Sequence, residues 1–155
     1  MYRNSVFLSA CAVLLVAGPL ACQVGDQELI TVKDVEDVTG MEGVKLVPRN
    51  PQIGAGGDLN FALADGALLL TVGIQDAPMY DEWKGQEGFF HAAVPDLGDE
   101  AFEGPAFGEQ RYVLIFRKGA TAISLSSFFN MQAGGEPYLS QDQLREIARI
   151  AISRL

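Results

Sequence analysis

One histidine, His91, stands just ahead of VPDLGDEAF, Val94 to Phe102, a stretch that carries Asp96, Asp99 and Glu100. An imidazole close to three carboxylates is the raw material of a metal centre or an acid–base pair. The spacing argues against both. Zinc takes three or four well-placed nitrogen, sulfur or carboxylate ligands, and the chain offers one imidazole. Calcium loops alternate their oxygen ligands as in D-x-D-x-D-G, a rhythm that Asp96-x-x-Asp99-Glu100 lacks. His91, Asp96, Asp99 and Glu100 are weak metal candidates, and neither a metal nor a cofactor is expected. The stretch reads as an acidic turn in which Pro95 and Gly98 shape the backbone, Asp99 caps amides and Phe102 enters the core.

Other chemistries fare no better. A serine hydrolase would need His91 as its base, and no G-x-S-x-G elbow exists; Ser124, Ser126 and Ser127 fall within a strand pattern. Gly54-Ala55-Gly56-Gly57 lacks the glycine spacing and the Lys-Ser/Thr of a phosphate loop and leads into a strand, so it reads as a plain loop. Paired carboxylates of the glycosidase kind discriminate nothing in a chain with 20 acidic residues. The aromatic residues Tyr80, Trp83, Phe89, Phe90, Phe102 and Phe107 gather in a segment that reads as a crossover, where a plain connector would be polar. They anchor a loop packed over one end of a sheet, or they line an apolar pocket or a partner-facing patch.

The elements that must position these residues can be read from caps and periodicity. Thr31 with Asp34 three residues on, and Val32, Val35 and Val38 at near-helical spacing, predict a short amphipathic helix over Thr31–Thr39, ended by Gly40. Val44–Val47 reads as an edge strand stopped by Pro48. Leu59–Ala64, a turn at Asp65-Gly66, and Ala67–Gln75 form a hairpin, with Leu68, Leu70, Val72 and Ile74 on one face. Arg111–Phe116, a turn at Lys118-Gly119, and Ala120–Phe129 form a second. Between them a short helix is expected around Tyr80, Trp83 and Lys84, followed by a glycine-rich acidic crossover to Gly108. Ser140 and Gln143 make a capping box, Leu139 staples onto Leu144, and Leu144, Ile147, Ala148, Ala151 and Leu155 form one apolar stripe. The expected class is α+β: an antiparallel sheet of two hairpins plus an edge strand, packed by an N-terminal and a C-terminal helix.

The beginning of the chain, MYRNSVFLSACAVLLVAGPLAC, has a positive start, an apolar run from Val6 to Val16 and a break at Gly18-Pro19. This is the plan of a signal peptide, and the apolar run is shorter than the roughly 20 residues that span a bilayer. Leu20-Ala21-Cys22 resembles the lipobox of bacterial lipoproteins, although Pro19 replaces the usual aliphatic residue. The resemblance implies acylation of Cys22, for example with palmitate. Cys11 would leave with the peptide, so Cys22 would otherwise be a lone exported thiol. Gln23 rather than an aspartate after it points to the outer membrane in a Gram-negative envelope. All 20 acidic residues lie beyond Cys22, against 10 of the 11 basic ones, for a net charge of −10 in that part. Such a chain is poorly suited to phosphate backbones, and no nucleic-acid partner is expected.

The order of elements, with LGDEAF leading into a strand and SQDQLREIARIAISRL closing the chain, resembles small actinobacterial-type lipoprotein domains. These include lipoproteins of unknown function and the extracytoplasmic sensor domains of some receptor kinases. The likeness runs from about Leu29 to Leu155, and its specific parts are that hexamer and the closing helix. Those families often carry a disulfide, which this chain cannot form. The resulting expectation is residues 1–21 as signal peptide, 22–28 as tether and 29–155 as one domain of a lipid-anchored, non-enzymatic envelope module. Its partners would be the bilayer, through acylated Cys22, and a protein, a cell-wall component or an apolar ligand. The alternatives are a carrier or sensor of an apolar small ligand and, further off, a metal-assisted hydrolase at His91.

Overall fold

The computed structural model describes residues 28–86, 92–106, 111–130 and 134–155. Helix α1 (Val32–Thr39) begins where the Thr31 hydroxyl accepts from the Asp34 amide and the Asp34 carboxylate accepts from the Thr31 amide, and it ends on Gly40 at φ 71°. Helix α3 (Gln141–Ser153) starts with the same reciprocal cap between Ser140 and Gln143. Leu144, Ile147, Ala148 and Ala151 of the expected stripe are buried, whereas Leu155 lies beyond the helix and is exposed. Among the described residues no helix is long and apolar enough to cross a membrane.

The strands are β1 (Lys45–Leu46), β2 (Leu59–Ala62), β3 (Leu68–Asp76), β4 (Ala92–Ala93), β5 (Glu100–Ala106), β6 (Arg111–Lys118), β7 (Thr121–Asn130) and β8 (Glu136–Pro137). They form one antiparallel sheet in the order β1-β2-β3-β7-β6-β5-β4, with β8 added on β7. The α+β class holds, with both hairpins and the edge strand in place. The crossover is more ordered than its glycine content suggests, because Glu100–Ala106 pairs along β6 and also with the short strand β4. Among the described residues β4 flanks β5 only at Phe102 and Glu103. Among the described residues Pro105 pairs only with β6, and on the other side its missing N–H costs no ladder bond. The second hairpin turns at Gly119-Ala120, one residue later than expected.

Strand alternation gives the sheet two different faces. Leu70, Val72, Leu114, Phe116, Ile123 and Leu125 point to the side covered by α1 and α3, and this is the main core. The other face carries a smaller cluster, Phe102, Val113, Ile115 and Ala122. Helix α2 (Ala77–Gly85) lies over that cluster and buries Tyr80 on it. Among the described residues α1 and α3 cover one side of the sheet, and α2 covers one end of the other.

Candidate functional site

The VPDLGDEAF stretch is the hairpin connection between β4 and β5, closed by the Val94 amide donating to Ala101 O at 2.9 Å. Gly98 at φ 65° packs so tightly that a Cβ there would lie 2.4 Å from the carbonyl oxygen of Arg117. The Asp99 carboxylate accepts from the Gly119 amide at 2.7 Å and from Lys118 Nζ at 3.2 Å, tying this turn to the next one. Those contacts hold the Asp99 carboxyl below its ordinary range, with the Gly119 amide first among the causes. Glu100 is held by Lys84 of α2 and by Arg117 at 3.4 Å. Asp96 is exposed, at φ 59°. The expected amide cap is present, although it reaches the neighbouring hairpin. Among the described residues no group of three or more histidine, cysteine or acidic side chains is placed to hold a metal. His91 lies outside the described residues, as do Cys22, Phe89, Phe90 and Phe107.

Two of the three described aromatic candidates belong to the core. Tyr80 and Phe102 are buried and meet edge to face, with ring centroids 5.4 Å apart. The Arg117 guanidinium lies over the Tyr80 ring at 5.4 Å. Burial, with Glu100 nearby, pushes the Tyr80 phenol up to about 12. Trp83 is different. It is half-buried against the smaller cluster and also forms the wall of a pocket.

That pocket follows from the register of three strands. Thr71 of β3 pairs with Ser126 of β7, which pairs with Val113 of β6. Two residues on, Gly73 pairs with Ser124, and Ser124 with Ile115. These two rows share the face that α2 leaves partly open, and together they floor a cavity of about 210 Å³. Trp83 closes one side and the Gly54–Gly57 loop another. At Gly73 a Cβ would lie 2.7 Å from Ser124 Oγ, so a side chain there would displace that hydroxyl. The loop is built to sit close. A Cβ on Gly57 would lie 2.5 Å from Val72 O, while buried Asn60 accepts from the Gly57 amide at 3.1 Å and donates to its carbonyl at 2.9 Å.

The chemistry of the lining is uniform. Its side chains are hydroxyls, an indole and two aliphatic groups between glycines, without a titratable group among the described residues. It can hydrogen-bond and stack, and by itself it cannot move a proton. Sequence reading assigned Ser124 and Ser126 to a strand and the glycines to a loop, which is right locally, and passed over Thr71 and Gly73. The only available signal was small polar residues alternating with apolar ones, a pattern also shown by any solvent-facing strand. No family model, curated protein or solved structure matches this chain.

Proposed function

We infer that the chain is an exported, lipid-anchored module of the cell envelope that binds a partner or ligand without catalysing a reaction. One observation carries the binding half of this reading. The pocket on the open sheet face presents recognition groups without an acid, base or nucleophile–base pair among its described residues. The anchor half rests on the apolar leader and on Cys22 behind Leu20-Ala21. The carrier reading for an apolar ligand asks the aromatic residues to enclose a cavity of about 300 Å³ or more. It is the weaker one, because Tyr80 and Phe102 pack solidly and Trp83 alone of the described aromatics meets the pocket.

Metabolic labelling with radioactive palmitate tests the anchor. Wild type should incorporate label into the membrane fraction, and Cys22→Ala should lose it. Equal labelling of the two proteins, or none in either, removes the anchor at Cys22.

A further inference from the structure

Of the three hydroxyls on the pocket floor, two are nearly buried and unused by the fold itself. Thr71 is 6% exposed and Ser126 9% exposed, and both line the cavity. Neither hydroxyl has a hydrogen-bond partner among the described residues. The Tyr80 hydroxyl is also without a partner, but it is sealed from solvent, whereas these two remain open to the cavity. A nearly buried hydroxyl without a protein partner satisfies itself with water or with a ligand. Two of them sit side by side, on directly paired residues of β3 and β7. The half-buried indole of Trp83 adds an aromatic surface to the same small space.

We propose that this pocket binds a single neutral sugar ring, with Thr71 and Ser126 hydrogen-bonding its hydroxyls and Trp83 stacking on its apolar face. The assignment rests on the binding reading above and follows from elimination by chemistry. Among the described lining residues a carboxylate, phosphate or ammonium group would find no counter-ion, and desolvating it unpaired is strongly unfavourable. The excess of acidic residues further disfavours anions. A purely apolar ligand would displace water from both hydroxyls and leave them unsatisfied. Serine and threonine hydroxyls rotate and both donate and accept, which matches a partner whose own hydroxyls do the same. The fixed donor and acceptor edges of a nucleobase match them less well. The volume, room for about seven waters at roughly 30 Å³ each, suits one ring and not a chain of them. A longer glycan would place one residue in the pocket and the rest outside it.

Trp83 is the only tryptophan of the chain, so its emission reports on this site. The full chain, in a detergent without sugar head groups, is titrated with glucose, N-acetylglucosamine and their linear trimers, with hexanol and adenine as controls. A saturable emission shift is expected with at least one of the sugars. The pair Thr71→Val and Ser126→Ala should weaken that binding roughly tenfold or more, the worth of two neutral hydrogen bonds. Its melting temperature should match wild type, because no protein hydrogen bond is lost. If the pair proves unstable, Thr71→Val alone keeps the side-chain shape and should weaken binding about fivefold. No shift with any sugar, an equal shift in the variants, or a preference for hexanol or adenine overturns the proposal. Failure here with Cys22-dependent labelling intact removes the sugar and leaves the anchored module; loss of labelling with a Thr71-dependent sugar response does the reverse.

Discussion

Tyr80 shows how much a single side chain can reveal. Its ring fills the space between α2 and the sheet, edge to face with Phe102 and covered by Arg117, yet its hydroxyl is buried without a hydrogen-bond partner among the described residues. An unsatisfied buried hydroxyl costs about 1–3 kcal/mol, so the oxygen is a burden on the fold while the ring supports it. Tyr80→Phe should therefore raise stability by about 1 kcal/mol, read by calorimetric melting, since it keeps the ring and its contacts. A fall in stability would mean that the oxygen does have a partner. The residue-scale reading of VPDLGDEAF as a turn capped by Asp99 was legible because Pro, Gly and Asp carry local conformational preferences. That Asp99 reaches Gly119 of the next hairpin was not, because the two are brought together only by pairing of β5 with β6.

At the scale of elements, helices and hairpins declared themselves through caps and periods. The capping boxes at Thr31/Asp34 and Ser140/Gln143 are local hydrogen-bond exchanges, fully specified within four residues of chain. The stripe of α3 is equally plain, and its burial places Leu144, Ile147, Ala148 and Ala151 in the main core. The described residues include no cysteine, so packing must supply the stability of this part. Ile147, fully buried in the main core, is the test position. Ile147→Asp should cost several kcal/mol, comparable to the whole stability of an ordinary domain, and leave the protein unfolded by circular dichroism. A folded variant would show that α3 is peripheral. The strand Glu100–Ala106 was harder to see. Gly104 and Pro105 are breakers by propensity, yet they pair with Val113 and Tyr112 of β6, and among the described residues no other strand is paired with Pro105.

Across the whole molecule, the two ends of the domain are fastened by one ion pair. Arg154, just past α3, donates to both oxygens of Asp34 in the first turn of α1, at 2.6 and 2.8 Å. The guanidinium is the main cause that holds the Asp34 carboxyl far below its usual range, and the Thr31 cap adds to it. A carboxyl depressed in the folded state contributes stability that is fully present above its unfolded value, near 3.9, and is lost as pH falls toward the folded one. Asp34→Asn should accordingly cost about 2 kcal/mol at about pH 7. Its stability should also fall less steeply than that of wild type as urea melts are taken below about pH 4. Parallel acid profiles for the two proteins would show that the pair contributes nothing.

This largest scale also separates what the chain declares from what only folding decides. The helix caps, the two hairpins and the apolar stripe are written in short windows, because each depends on neighbours within a few residues. The α+β class follows from their order. The pocket is different in kind. Thr71 and Ser126 are 55 positions apart by their numbering and meet only because β3 pairs with β7 in one particular register. A one-residue slip would send them to the opposite face. The Arg154–Asp34 clasp likewise joins residues 120 apart. Local chemistry names such residues as polar, and tertiary register alone decides that two hydroxyls share a cavity with an indole.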